Sequence, residues 1–558
     1  MILLKFKDNY KWMSGWMHDY YCDKDGSELI FDINNNHYFE CPICHYKYKD
    51  EKRKRAWITK YRYKVFDQLE KYSEKYLLEK NNEYLTFIQN AFNYYSINYN
   101  KFLIHDKNGN ILGKYENESN KCGRITAQGL NEAMISIQVS NCIDNIDKYL
   151  DEKIKNLVFD KWFTEIYKLL KPQINKIHNI NCYEICAIGI MGIVSKNNDM
   201  INYTFNSDYS FYRQLEKGVT KDNFWFEGSF HYHLFVLKPI LQLLIIAKKH
   251  SFEIPQKYYN TAKEMLNQCF KCCFSDCTLP SPNDGWPNRK LEDYMEVYKL
   301  GNELFKNEFV DIITNINNKN NALCSIHLFN TGFSILKNEY WNIFIKYGDS
   351  NISHAHPDKL NIEIKLGNDF LTHDLSTSGY GSNISKDYYK KTYSHNTIVI
   401  GSYDQNININ GVVKEYGNNL INVNIKNLYD DVSVSKKIEL LSNNLIDNVN
   451  VEYSGNNNVD YIFHCDAQLI TDFEYKTKES FVEYPYFKDI KEVISKSDNI
   501  LLNWKLKDKI LDSDIILKDK SLFICSSPDN PDLKHRTTLV IRSNKHNNIS
   551  FNVSWKLN

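Results

Sequence analysis

A chain of 558 residues is too long for one ordinary compact domain, so two or three are expected. The 42% hydrophobic share supplies large cores, and the 25% charged share excludes wholesale disorder. With 69 Lys+Arg against 69 Asp+Glu, no global field draws the chain to nucleic acid or a membrane, and any anionic partner must meet a local site.

The 14 scattered cysteines fit a reducing compartment better than a disulfide scaffold. The opening run MILLKFKDNYKWMSGW has four apolar residues before its first charge, so it reads as neither signal peptide nor anchor. The longest later apolar run, 234–247, is interrupted by Lys238 and Pro239. A cytoplasmic protein is expected, secreted only if a leader is missing.

In chain order, residues 1–55 read as an irregular, aromatic and Cys-containing segment. Residues 56–320 are helical, with apolar residues at three- and four-residue spacing over 61–78, 84–99, 130–150, 154–170, 183–194 and 230–249. Helices of similar length in succession point to stacked helical hairpins. From 321 to 558 the period changes. Short alternating runs at 324–329, 332–336, 341–347, 360–366, 396–400, 419–425 and 432–440 are separated by turns such as Asn410-Gly411, predicting an antiparallel sandwich.

Four clusters could carry chemistry. Ser353-His354-Ala355-His356-Pro357-Asp358 is followed by His373-Asp374 and Ser394-His395-Asn396-Thr397. On a strand, His354 and His356 would share one face. Asp374 and His395 could complete a Zn²⁺ site with one of them, because two imidazoles and a carboxylate suit that ion. The second cluster, Asp222 to His233, places Glu227, His231, Tyr232 and His233 at a helix start that Ser229 could cap. The third, His178 to Glu184, reads as a loop into the helix beginning near Tyr183. The fourth is Cys22 with Cys41-Pro-Ile-Cys44. A zinc knuckle calls for two cysteine pairs; Asp at position 25 weighs against bound zinc, with His18, His37 or His45 as substitutes. Phosphate loops, dinucleotide fingerprints and Gly-x-Ser-x-Gly are absent.

Taken together, these motifs resemble the heparinase II/III-like polysaccharide lyases. The match runs through Gly332 to Gln405, with the His-Ala-His-x-Asp run, Asp374, Ser-Thr-x-Gly-Tyr380 and Ser-His-Asn-Thr, and through Phe224 to His233. The resemblance implies an incomplete (α/α) toroid followed by an antiparallel β-sandwich, with the site in the cleft between them. It also implies β-elimination on uronic-acid-containing glycans, glycosaminoglycan type first and alginate oligomers second. By the same resemblance Tyr232 and His354 are the proton-transfer residues, Asn179 or His178 neutralises the uronate carboxylate, and Tyr380 assists. Asn181 competes for the neutralising role. Glu227, His231, His233 and Arg289 are expected to bind substrate, and His356, Asp374 and His395 to hold a structural Zn²⁺. Arg213, Arg289 and Lys290 are candidates for a basic cleft. The expected partner is an acidic polysaccharide or oligosaccharide, with neither nucleic acid nor membrane. Two rivals are a glycoside hydrolase using Glu227 and Glu184, and a non-catalytic carbohydrate-binding or envelope-biosynthesis protein on the same fold.

Overall fold

The computed structural model describes residues 8–118, 121–348, 354–380, 382–531, 534–545 and 547–558. Residues 1–7 of the N-terminal segment and Ser353 of the histidine run lie outside the described residues.

Helices occupy the chain from Glu51 to Asn317 and antiparallel sheets follow from Ile326 to Leu557. The first helix, Glu51–Glu79, begins well before the apolar spacing does, because the Asp50 side chain accepts the Arg53 N–H and caps it. It packs on Gly129–Ile146, which packs on Asn179–Ser195, which packs on Phe230–Lys249. The expected helix over 154–170 is divided by a π-helical turn at Val158–Phe163. Phe230–Lys249 is long and apolar enough to cross a membrane, but most of it is buried inside the helical half, where Leu234, Leu237, Leu241 and Leu244 are fully covered.

Between the helices and the sandwich lies a five-stranded meander: Ile326–Leu328, Phe333–Lys337, Trp341–Lys346, Ile362–Leu366 and Asp369–Thr372. Its period-two alternation serves two cores. Phe333, Ile335 and Phe344 join the helical core, whereas Leu336, Ile343 and Ile345 join the sandwich core. Buried ion pairs add fixed points: Lys365 bonds Asp276 of the helical half at 2.5 Å, and Lys346 pairs with Asp358.

Beyond the meander, an eight-stranded and a six-stranded antiparallel sheet face each other across the second core. Ser433–Leu441 and Asn444–Glu452 alternate buried and half-buried positions, as strands with one covered face do.

Candidate active site

The site forms where the N-termini of two helices meet the loop after Trp341–Lys346. The Asn179–Ser195 helix starts four residues before Tyr183, because His178 Nδ1 accepts the Ile180 N–H and caps it. Asn179 is thereby fixed on the first turn. The Glu227 carboxylate accepts the Asn179 backbone N–H at 2.9 Å and its Nδ2–H at 2.5 Å. Asn181 points elsewhere: its Oδ1 accepts the N–H groups of Asn175 and Lys176, and its Nδ2 donates to Glu184. Of the three residues in competition, Asn179 is the one that reaches His354, with Nδ2 at 3.3 Å from Nε2.

Ser229 caps Phe230–Lys249 and places Tyr232 on its first turn. The Tyr232 ring stacks on the His354 ring at 3.9 Å between centroids. Its hydroxyl shares a 2.8 Å hydrogen bond with that of Tyr380. The Tyr380 hydroxyl lies 2.9 Å from His354 Nδ1. Burial, and next the Asp284 charge, push the Tyr232 phenol well above its ordinary pKa, so it is protonated at neutral pH.

His354 and His356 occupy a loop and not the strand expected for them. Their common partner is Asp284, which was not singled out from sequence. Its Oδ2 accepts from His354 Nδ1 at 3.0 Å and from Lys390 Nζ at 2.8 Å, and its Oδ1 accepts from His356 Nε2 at 3.0 Å. Despite the desolvation that opposes it, these donors hold the carboxyl well below the usual range. A carboxylate that accepts from both rings sets both tautomers. His354 presents a bare Nε2 to Asn179, and His356 presents a bare Nδ1 on its other side.

That His356 Nδ1 is buried and without a hydrogen-bond partner, as is His395 Nε2. His356, Asp374 and His395 each offer a ligand atom within 4.8 Å of the others. Asp374 also accepts from His395 Nδ1 at 3.0 Å and from Asn361 Nδ2 at 2.6 Å. An orphaned His356 nitrogen, the His395 imidazole and a buried carboxylate within ligand reach of one another fit a tetrahedral divalent ion.

Other expected substrate contacts sit differently. Glu227 is buried and its carboxylate is committed to Asn179. His233 is fully buried, with Nδ1 accepting the Trp225 N–H and Nε2–H donating to the Met265 carbonyl, so it packs the helix and does not face the cleft. His231 bonds the Tyr294 hydroxyl at 2.8 Å and sits edge-on to Trp286. Arg289 lines a narrow crevice beside these residues but faces Asp293 at 3.9 Å, and Arg213 pairs with Glu216 on the surface. Lys290 lines a separate crevice with Asp276, Lys319 and Lys365. A more basic opening, of about 440 Å³, lies beside Tyr380 and is lined by Trp16, Asp19, Lys52, Arg55 and Lys107, with Lys52 paired to Asp19 at 3.3 Å. Trp16 stacks on Tyr380, and His18 stacks on Trp286.

Residues 202–310 match the family described as Heparinase II/III N-terminus, and residues 322–416 match Heparinase II/III-like, C-terminal. Both halves of the chain thus carry a stretch similar to heparinase II/III-type domains. The structure is similar to a heparinase III at a TM-score of 0.63 and 15% identity, covering 99% of this chain and 85% of that one. It is similar also to the heparan sulfate lyase HepC from Pedobacter heparinus, at a TM-score of 0.62 and 15% identity, covering 98% of this chain and 86% of that one. These likenesses show a shared fold. A curated relative, the exo-oligoalginate lyase of Saccharophagus degradans, is 26% identical over 140 residues, which is 23% of this chain and 19% of that protein. The matched stretch thus spans about a fifth of the relative's length.

Proposed function

We propose that this protein is a lyase that cleaves uronic-acid-containing glycans by β-elimination. The observation that carries the reading is the group Asn179, Tyr232, His354 and Tyr380, drawn from both halves of the chain into one hydrogen-bonded cluster. When substrate binds, Asn179 Nδ2 turns the N–H it directs at His354 Nε2 to the uronate carboxylate, which frees Nε2 and stabilises the enolate-like charge that develops as C5 loses its proton. His354 Nε2 takes that proton. The C5–H electron pair forms the C4–C5 double bond while the C4–O4 bond breaks. Tyr232 gives its hydroxyl proton to the departing O4, a role that suits a phenol held protonated by burial. Tyr380 then donates a hydrogen bond to the Tyr232 oxygen. Glu227 and Asp284 are positioning residues, the first for Asn179 and the second for His354.

His356, Asp374 and His395 would hold Zn²⁺, and the ion would fix the loop that presents His354. Substrate chemistry stays with the organic groups. The hydrolase alternative is poorly served, because Glu227 and Glu184 are both buried and bonded to the amides of Asn179 and Asn181.

Glycosaminoglycan-type uronates are the leading substrate class, and the fold shared with a heparinase III and a heparan sulfate lyase supports that order. Alginate oligomers are the second reading, favoured by the sequence match to an oligoalginate lyase. Purified protein offered a panel of heparan, chondroitin, hyaluronan and alginate chains should generate the ultraviolet absorbance of an unsaturated uronate on at least one. Absorbance on none, with folded protein, defeats the proposal.

A further inference from the structure

The N-terminal segment carries a second cluster that the lyase reading leaves unused. Cys22, Asp25, Cys41 and Cys44 each direct a ligand atom inward, all within 4.8 Å of one another. Cys22 Sγ is 3.6 Å from Cys44 Sγ, and Cys41 Sγ is 3.2 Å from Asp25 Oδ2. With Zn–S bonds of about 2.3 Å, tetrahedral geometry puts two sulfurs about 3.8 Å apart. Cys22, Asp25 and Cys41 are buried, and Cys44 is at the surface.

The two halves of the cluster are built alike. In one, Cys22 N–H donates to the Ser27 carbonyl; in the other, Cys41 N–H donates to the Tyr46 carbonyl, five residues on in both cases. The N–H two residues after each cysteine points at its sulfur, Lys24 to Cys22 and Ile43 to Cys41, each at 3.4 Å. The fourth residue after each adopts a left-handed backbone, Gly26 at φ +71° and His45 at φ 55°. By this correspondence Asp25 stands where Cys44 stands in the other turn. The residue that argued against a zinc site in the sequence therefore occupies the fourth ligand position.

We propose that Cys22, Asp25, Cys41 and Cys44 bind a structural Zn²⁺ that clamps the N-terminal segment against the loop carrying Tyr380. Three thiolates and one carboxylate complete a closed tetrahedral set with no position left for water, which makes the site structural. The turns abut the catalytic loop. A side chain at Gly26 would meet the hydroxyls of Ser378 and Ser382 at 3.4 Å, and one at Gly379 would meet the Tyr21 ring at 3.1 Å. Arg53 ties the same turn to the first helix through the Tyr21 carbonyl and Asp23. The ion would thus hold in place the segment whose Trp16 stacks on Tyr380.

The site does not depend on the lyase reading, and its test measures metal. In His356→Ala/His395→Ala protein, about one equivalent of zinc should remain after gel filtration, and a thiol-reactive mercurial should release it. Cobalt substituted into the same protein should show a thiolate-to-metal charge-transfer band. Asp25→Cys should keep the metal and strengthen the band, Asp25→Ala should lose metal, and Cys324→Ser, at an exposed cysteine outside the cluster, should change nothing. Zinc that the mercurial does not release, a cobalt spectrum without the thiolate band, or a Cys22–Cys44 disulfide in protein isolated without reductant would each overturn the proposal. Because Asp25→Cys adds a ligand, a destabilised Asp25→Ala protein would not leave the question open.

Discussion

Asp284→Asn is the most informative single change. The carboxylate accepts from His354 Nδ1 through one oxygen and from His356 Nε2 through the other, both at 3.0 Å. Asparagine has nearly the same shape but one acceptor and one donor, so it can satisfy only one of the two rings as they stand. If the amide nitrogen faces His354, that ring must move its proton to Nε2, and the base that faces Asn179 is lost. If it faces His356, the proton moves to Nδ1, into the cluster with Asp374 and His395, and a ligand of the proposed zinc site is lost. Lys390 loses its counter-charge in either case. A misplaced tautomer removes about 10²–10⁴-fold in rate, the range of a general base, or roughly 3–5 kcal/mol of transition-state stabilisation. Turnover and zinc content should be measured together with a melting curve. We expect kcat to fall by that factor with a smaller change in KM, or zinc to fall with it. Folded Asp284→Asn protein with wild-type turnover and wild-type zinc would refute the tautomer argument.

Three further outcomes follow from named contacts. Tyr232→Phe keeps the ring stacked on His354 and removes the hydroxyl bonded to Tyr380, so kcat should fall about 10²–10⁴-fold with the melting temperature little changed; near wild-type turnover would remove Tyr232 from the chemistry. Lys107, which sits 4.0 Å over the Trp16 ring, lines the basic opening, so added salt and Lys107→Ala should each raise KM with little effect on kcat; a KM indifferent to both would count against that cleft. Burial lowers the pKa of His233 and of His105 to about 4, against hydrogen bonds to the Met265 and Leu103 carbonyls that raise it. The unfolded chain binds these protons below about pH 6.5 and the folded chain does not, so stability is full above that pH and falls toward pH 4 by about 1.4 kcal/mol per pH unit per histidine. Urea unfolding of the helical half, followed by circular dichroism at pH 7 and pH 5, should show the loss, and His105→Asn should reduce it; a flat profile would contradict the assignment.

The coarse architecture was readable because each half repeats one apolar period: three- and four-residue spacing up to residue 320, and alternation beyond it. The period broke down where a polar contact sets the boundary. Asp50 extends the first helix into a charged run, and the His178 cap extends another back over Asn179. Tyr232 and His354 stand in dense motifs, whereas Asn179 lies in a stretch that reads as an ordinary loop and was singled out only by the family resemblance, beside His178 and Asn181. Asp284 was not legible, because a lone acid in a Pro-rich loop acquires meaning only from His354, 70 residues away. The Pro280-Ser-Pro-Asn-Asp-Gly-Trp-Pro287 run was the one available signal, a stiff turn ending at Trp286. The aromatic wall of Trp16 and His18 was hidden for the same reason, since an irregular segment is given its role by Tyr380 and Trp286 from distant parts of the chain.

In the proposed reaction the C4–O4 bond is cleaved by elimination, without water. The most direct test is digestion of a uronate oligosaccharide in heavy-oxygen water, with products followed by ultraviolet absorbance and mass. The account predicts that each cleavage yields one unsaturated uronate end, that the product masses sum to the substrate mass, and that no solvent oxygen enters either fragment. Saturated ends that carry solvent oxygen would contradict it and assign the site to hydrolysis.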